Sequence, residues 1–265
     1  PVQARELTGL QSILQNQIAK FGQHFFKEGS KVIPGNTQYN DNFDCIQINN
    51  EYLGITVQSY VDQLLDQKII GATSGVSATV VKILPAEQSE NNNLTLYIQY
   101  ESSGDISRTD LDDFDDGENL ITNIDILSGV ESSTFIPAGE AFASTISVDS
   151  TQTGAAFSIN DGVYFIRGTF VTVNKETILL GQYDNVPTGR VGLRIIEETV
   201  NADEDPSLTD NSKGFNNFAA PGADRLKISC SLHFKDLDDL NDNDFVELAT
   251  FRNGDVRTKT TTPQY

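Results

Sequence analysis

Histidine is the side chain that most often transfers protons near neutral pH, and this sequence contains only two, His24 and His233. Neither histidine stands at a motif spacing from a nucleophile or from a second metal ligand. The chain also lacks a Gly-x-Ser-x-Gly nucleophile elbow, a P-loop and a His-Glu-x-x-His helix. Carboxylate pairs are unavoidable among 38 Asp and Glu residues, so their presence does not indicate a glycosidase site. We therefore predict that the protein is not an enzyme and has no catalytic residues and no cofactor.

Two acidic runs are the candidates for cation binding, Asp110–Glu118 and Asp236–Glu247. An EF-hand loop needs Asp at its positions 1, 3 and 5, Gly at 6 and Glu at 12. A loop that starts at Asp112 has the required glycine, Gly117, but has Phe114 in place of the second aspartate. The second run has no glycine where the motif needs one. Because runs of like charge are usually solvated surface, we predict no metal site.

The formal net charge of −20, from 38 acidic and 18 basic residues, predicts a surface that repels phosphate backbones. We therefore expect no nucleic-acid partner. No apolar run reaches the roughly 18 residues that a membrane span requires, so we expect no membrane partner either. Cys45 and Cys230 are far apart in the sequence, and two unpaired thiols are expected rather than a disulfide.

Residues 5–27 carry the periodicity of an amphipathic helix. Large apolar residues recur there at steps of three and four and form one stripe, called the helix stripe below: Leu7, Leu10, Leu14, Ile18, Phe21 and Phe25. The stripe is too short to assign a coiled coil from its spacing. It packs either on its own domain or on a neighbouring subunit, and the second alternative makes it a candidate interface.

Residues 160–234 are the most regular part of the chain, with four strand-like runs that frame one long loop. In the last two strands, alternate residues are apolar and are predicted to share one face: Val191, Leu193 and Ile195, then Leu226, Ile228, Cys230 and Leu232.

The loop between these two strands, from Asn201 to Pro221, has no periodicity and is rich in Asp, Asn, Gly and Pro. Connections of this length are usually functional or disordered. The composition predicts order, because the loop has apolar residues that can be buried and a turn-starting Asp205-Pro206-Ser207. It is either a packed connection or a partner-binding loop. The second alternative gives the candidate interface residues Asp205, Leu208, Asn211, Phe215, Phe218 and Arg225.

Three runs in this region carry a resemblance to a known family: GVYFIRGTFVTVNKETILLGQY, RVGLRIIEE and EDPSLTDNSKGFNNFAAPGADRL. They resemble the shared N-terminal region of large virion proteins of tailed phages of the T-even-like type, a region known as a domain of unknown function. The best matching positions are Gly162, Tyr164, Arg167, Gly168, Phe170, Asp205, Pro206, Ser207, Leu208, Asp210, Asn211, Gly214, Asn217, Ala220, Pro221, Gly222, Ala223, Arg225 and Leu226. Members of that family are similar to tail, baseplate and tail-fibre proteins, and the family supplies no catalytic residues.

The expected fold is mainly β with an N-terminal α-helix. A helical docking segment at 1–30 would precede a β-sandwich-like main domain formed by 31–66 and 145–265. The runs IIGATSGVSATVV, LTLYIQY and FDDGENLI, between residues 67 and 144, resemble a small β-barrel inserted into several phage tail proteins.

The resemblance implies a structural component of a phage tail apparatus, a baseplate or tail-fibre or fibre-attachment protein that acts through protein–protein interfaces. Such a protein would be assembled in the host cytoplasm and reside in the virion tail. Its expected partners are other tail and baseplate proteins and further copies of itself, with a trimer favoured. The alternative is a receptor- or carbohydrate-binding adhesin module. The absence of tryptophan weighs mildly against that alternative, because tryptophan is a common platform for sugar stacking.

Overall fold

A computed structural model of the chain describes residues 4–33, 35–104, 113–127, 134–216 and 218–259. About half of the residues lie in strands, and one α-helix lies at the N-terminal end of these ranges. The expectation of a mainly β fold with an N-terminal helix is confirmed. No helix among the described residues has the length and apolarity needed to cross a bilayer.

The elements of the described ranges follow in chain order. The helix is α1 (Ala4–Phe25), and the first strands are β1 (Ser30–Ile33), β2 (Thr37–Ile48), β3 (Glu51–Tyr52), β4 (Ile55–Thr56), β5 (Lys68–Gly71), β6 (Ser77–Leu84), β7 (Leu94–Ser102), β8 (Asn119–Thr122), β9 (Ile126–Leu127) and β10 (Thr134–Ile136). The remaining strands are β11 (Ala141–Ser144), β12 (Thr151–Ile159), β13 (Gly162–Ile166), β14 (Thr169–Val173), β15 (Glu176–Gly181), β16 (Gly189–Val200), β17 (Arg225–Lys235), β18 (Phe245–Arg252) and β19 (Asp255–Lys259). Short 3₁₀ turns lie at Val57–Ser59, Val61–Leu64, Ala86–Gln88 and Pro206–Leu208.

The chain divides into two compact units, and neither is one continuous segment. Unit 1 comprises Pro1–Gln38, Phe157–Ile178 and Thr188–Tyr265, and unit 2 comprises Tyr39–Ala156 and Leu179–Pro187. The insertion expected at 67–144 lies wholly within unit 2. Unit 2 also contains 39–66 and 145–156, which the sequence assigns to the main domain.

Unit 2 contains most of an eight-stranded sheet, in the order β11-β8-β5-β6-β7-β2-β12-β15. The two end strands, β11 and β15, do not pair with each other, so among the described residues this sheet is open. The strands from 67–144 therefore form part of an open sheet and not a closed barrel.

Both faces of the central strands of this sheet are covered by apolar side chains. Cys45 of β2 lies opposite Tyr97 of β7, and both belong to one buried cluster with Phe43. The next pair along the ladder, Ile46 and Leu96, points to the opposite face and belongs to the larger buried cluster. Successive side chains of a strand point to opposite faces, so an apolar run predicts a strand that is buried on both sides.

Unit 1 contains α1 and two smaller sheets, in the orders β1-β13-β14 and β17-β16-β18-β19. Val191, Leu193 and Ile195 of β16 are buried on one face, as their period of two predicts. The segment 256–265 is expected to be a polar tail, and this is wrong for its first residues, because β19 pairs with β18. Asn253 and Gly254 both have positive φ and close this hairpin, which is the usual backbone of a two-residue turn. The last residues, 260–265, lie outside the described ranges.

A buried carboxylate organises one end of unit 2. Glu118 is only 4% exposed, and its Oε2 accepts hydrogen bonds from the backbone N–H groups of Thr73 and Ser74, at 3.0 Å each. Its Oε1 accepts from the Ser74 hydroxyl and from the Asp115 N–H, both at 2.8 Å. A Cβ on Gly71 would lie 2.5 Å from both carboxylate oxygens, so the glycine leaves the space that Glu118 fills. Glu118 thus closes the connection between β5 and β6.

We expect Glu118→Gln to destabilise the protein by about 2–3 kcal/mol, because the amide nitrogen cannot accept a hydrogen bond and leaves buried N–H donors unsatisfied. Urea denaturation would measure the change in the free energy of unfolding. Glu140→Gln is the matched control, since Glu140 is exposed, and it should change that free energy by less than about 0.5 kcal/mol. Equal effects of the two substitutions would show that Glu118 does not hold this connection.

Candidate functional site

The predicted interface residues fall on two surfaces of unit 1, the helix stripe and the loop between β16 and β17.

The helix α1 contacts the rest of unit 1 through small residues near its C-terminal end. A Cβ on Gly22 would lie 2.2 Å from the ring of Phe165, so the helix backbone lies directly against this ring. A Cβ on Gly168 would lie 2.9 Å from the Cβ of Ala19, which places the β13–β14 turn equally close to the helix. Phe26 then packs on Phe165, with 5.9 Å between ring centroids. The helix therefore meets its own unit along Ala19, Gly22 and Phe26.

The helix stripe lies on a different side of α1. At about 100° per residue, the stripe and the face that contains Ala19 and Gly22 are roughly 110° apart around the helix axis. The stripe side chains that the structure describes are 42–64% exposed: Leu10, Leu14, Ile18, Phe21 and Phe25. Leu7 lies in the helix, but its side chain is outside the described residues. The sequence left two alternatives for the stripe, packing on its own unit or on a neighbouring subunit. The described residues do not show the first, because their side chains are exposed.

One apolar residue of this surface is absent from the sequence prediction. Ile13 is 58% exposed and lies beside the stripe. It is three residues after Leu10, the spacing that places two side chains on neighbouring positions of a helix surface. That spacing is the signal by which the sequence could have identified it.

The second surface is the outer part of the β16–β17 ladder. These strands pair over their whole length, from Arg190 opposite Lys235 to Val200 opposite Arg225. In contrast, β18 pairs with β16 only as far as Arg194. Ile195–Val200 and Arg225–Cys230 therefore form a two-stranded extension, called the arm below, and residues 201–224 are its loop.

The arm loop is ordered, as its composition predicts, but not by the burial of apolar anchors. Phe215 is 75% exposed and Phe218 is 50% exposed, so the expectation that they are buried is wrong. Backbone hydrogen bonds hold the loop instead. The Asp210 N–H donates to the Ala220 carbonyl at 2.9 Å, and the Ala219 N–H donates to the Asp210 carbonyl at 2.8 Å. The two aromatic side chains are thus presented on an ordered segment.

The remaining predicted residues of the loop have structural contacts. Asp205 caps the 3₁₀ turn that starts at Pro206, as expected, and Leu208 is half-buried in that turn. Asn211 is exposed. The high acidic content of the sequence predicts that Arg167 and Arg225 pair with carboxylates. This is wrong for Arg225, which donates to the backbone carbonyls of Ala223 and Asp224.

Arg167 does pair with carboxylates, as the sequence predicts for an arginine in an acidic protein. Its guanidinium contacts Glu197 and Asp244, and its backbone N–H donates to Glu28 at 2.8 Å. These carboxylates raise the pKa of Arg167. The contacts connect the β13–β14 turn with the end of the helical segment and with the four-stranded sheet.

The two cysteines are unpaired, and the two histidines lie on different elements. Cys45 is buried, Cys230 is half-buried, and the two form no disulfide. Burial raises the pKa of the Cys45 thiol to about 12 and that of Cys230 to about 11, so neither is a thiolate at neutral pH. His24 lies on α1 and His233 on β17, as predicted. The described residues contain no group of three His, Cys, Asp or Glu side chains that could hold a metal ion. Asp110–Asp112 of the first acidic run lie outside the described ranges.

Comparison with known proteins gives one match. Residues 139–265 match the family model described as a domain of unknown function, DUF4815. The matched region is slightly less than half of the chain and contains β16, β17 and the arm loop. No curated protein and no solved structure shows significant similarity to the chain.

The serine residues of the arm loop hold two aspartates in their charged form. The hydroxyl and the N–H of Ser207 hydrogen-bond to the Asp205 carboxylate and lower its pKa, and Ser212 does the same for Asp210. A lowered folded-state pKa contributes stability that is present above the unfolded pKa of about 3.9 and is lost as the pH falls through the folded value. We therefore expect the loop to lose order only in strong acid.

We expect Ser207→Ala to raise the pKa of Asp205 towards its ordinary value, because one of the two donors is removed. Carboxyl ¹³C NMR titration would measure it. Asp210 is an internal control, since Ser212 remains and its pKa should stay low. An equal shift of both aspartates, or of neither, would contradict this description of the loop.

Proposed function

We propose that the chain is a structural component of a bacteriophage tail apparatus, a baseplate or tail-fibre or fibre-attachment protein that acts through protein–protein interfaces. The observation that carries the proposal is the helix stripe, which exposes large apolar side chains along α1. Contiguous exposed apolar surface of this kind marks interaction sites in soluble proteins. The resemblance of the runs between Gly162 and Leu226 to tail proteins supports the choice of assembly.

The proposed role is not enzymatic and involves no nucleic acid and no membrane. The protein would be assembled in the host cytoplasm and reside in the virion tail, in contact with other tail and baseplate proteins. The finer architecture that the resemblance implies, a β-sandwich-like main domain that carries a small inserted β domain at 67–144, is part of the proposal. Its support is that 67–144 lies within one compact unit.

Charge favours further copies of the same chain as partners of the helix stripe. Ala4–Phe25 contains two basic residues, Arg5 and Lys20, and one acidic residue, Glu6, which gives 2 − 1 = +1 with histidine neutral. The whole chain carries −20, so the other residues carry −21. Two copies that meet through their helices therefore bring little like charge together. Amphipathic helices that bind anionic membranes are rich in Lys and Arg, and this helix is not.

The stability of the helix points in the same direction. Most helix stability in proteins comes from packing of the apolar face rather than from intrinsic propensity. Since α1 meets unit 1 along Ala19, Gly22 and Phe26, its apolar stripe is left exposed, and a partner on the stripe would supply that stabilisation. A trimer, favoured for a tail protein, places three stripes around one axis.

Light scattering coupled to size exclusion tests this proposal. We expect a mass near three times 29.0 kDa for the protein and a mass near 29.0 kDa for the double variant Leu14→Gln, Ile18→Gln. Both side chains are half exposed, so their replacement should leave the free energy of unfolding of the monomer nearly unchanged.

The matched control is Asn16→Ala with Gln23→Ala, two exposed positions on the polar side of α1, and it should keep the mass of the parent protein. A parent protein that remains at 29.0 kDa across the accessible concentrations would contradict self-assembly through the stripe. A control that dissociates as readily as the stripe variant would contradict the choice of face.

A further inference from the structure

One face of the four-stranded sheet, called the polar face below, carries charged side chains around the ring of Phe245, and no motif in the sequence identifies it. Directly opposed residues of an antiparallel pair share a face. Arg190 lies opposite Lys235, Gly192 opposite His233 and Arg194 opposite Ser231. These side chains therefore lie on the face opposite the buried Val191, Leu193 and Ile195.

The loop between β17 and β18 is held against this polar face by buried cations. Lys235 binds the carboxylates of Asp239, at 3.2 Å, and Asp242. Arg190 donates to Glu247 at 2.6 Å and to the Asp239 carbonyl at 2.5 Å. Both cationic side chains are only 12% exposed, and the Lys235 ammonium lowers the pKa of Asp242. The loop is thus fixed in place by charge-assisted hydrogen bonds.

A cavity of about 480 Å³ lies between this loop and the sheet. Its volume is within the range of small-molecule sites, roughly 300–1,000 Å³. One lining residue, Phe234, is aromatic, and the others are polar or charged: Arg194, His233, Lys235, Asp236, Asp239 and Asp242.

Three of these groups have unused hydrogen-bonding capacity. Among the described residues, the Arg194 guanidinium, the His233 imidazole and the Asp236 carboxylate make no hydrogen bond within the protein. Arg194 has only an electrostatic interaction with Asp242. A guanidinium supplies donors, a carboxylate supplies acceptors, and an imidazole supplies one of each. The cavity therefore offers both kinds of group to a ligand, while Lys235 and Asp242 hold the surrounding loop.

The charge of the cavity disfavours anionic ligands. Arg194 and Lys235 against three aspartates give 2 − 3 = −1 with histidine neutral, in a chain of net charge −20. Lys235 already pairs with Asp239 and Asp242, and the two charged groups without a hydrogen bond to the described residues, Arg194 and Asp236, have opposite charges that cancel. A neutral ligand rich in hydroxyl groups fits, because each hydroxyl can donate to a carboxylate and accept from the guanidinium.

We propose that this cavity binds a neutral saccharide. Arg194 and Asp236 are the direct contacts, and the loop between β17 and β18 supports them. This site goes beyond the proposed assembly role and does not depend on the oligomeric state. It is also distinct from the helix stripe and the arm loop.

The protein should retain neutral oligosaccharides on an array that also contains sialylated and amino-sugar glycans. For a retained glycan measured by calorimetry, Arg194→Ala and Asp236→Asn should each weaken binding by roughly tenfold or more, since each removes a charged hydrogen-bonding group.

Arg252→Ala and Asp224→Asn are the matched controls, because both residues are exposed and outside the cavity, and they should change affinity by less than about twofold. Thermal melting of all four variants should match the parent, which separates loss of binding from loss of folding. Retention of no glycan, retention of charged glycans alone, or equal binding by the cavity variants and the controls would overturn the proposal.

Discussion

The close approach of α1 to the β13–β14 hairpin is the constraint on which the exposed surface of unit 1 depends. Gly22 allows the Phe165 ring to lie against the helix backbone, and Gly168 allows the turn to reach Ala19. Gly168 is also in the left-handed region, at φ 74°, where a side chain would be strained. Because the helix meets its unit through these small residues, its large apolar residues are left on another side. The position of the helix stripe thus follows from the two glycines, Gly22 and Gly168, that allow this close contact.

Arg167 fixes this arrangement electrostatically. It precedes Gly168 in the turn and also has a positive φ, 51°, which is uncommon for a residue with a side chain. Its guanidinium binds Glu197 and Asp244, and its N–H binds Glu28 just beyond the helix. One turn is therefore tied to the helical segment and to the four-stranded sheet. These contacts hold the helical segment against the four-stranded sheet, and the interface that we propose for the helix stripe depends on that arrangement.

The periodicity of the sequence predicted the helix and the main strands, but it did not predict which of their side chains are buried. A period of two assigns Leu226 and Leu232 to the same face of β17, and only Leu232 is buried. Burial decreases outward along the arm because β18 ends its pairing with β16 at Arg194, a tertiary fact that no local pattern contains. In the same way, Phe215 looks like a core residue by type, although hydrogen bonds of the backbone and of polar side chains hold its loop. The cavity was missed because Arg194 and His233 are far apart in the sequence and come together only through the register of the β16–β17 ladder.

The distribution of charge explains how such a chain can expose so much apolar surface. A net charge of −20 opposes random association of the folded units, since each encounter brings like charges together. The helix segment has a charge near zero beside its apolar stripe. In the assembly that we propose, copies that meet through this segment bring little like charge together, while contacts between strongly acidic segments are opposed. Apolar attraction and charge repulsion would then both favour the helix contact.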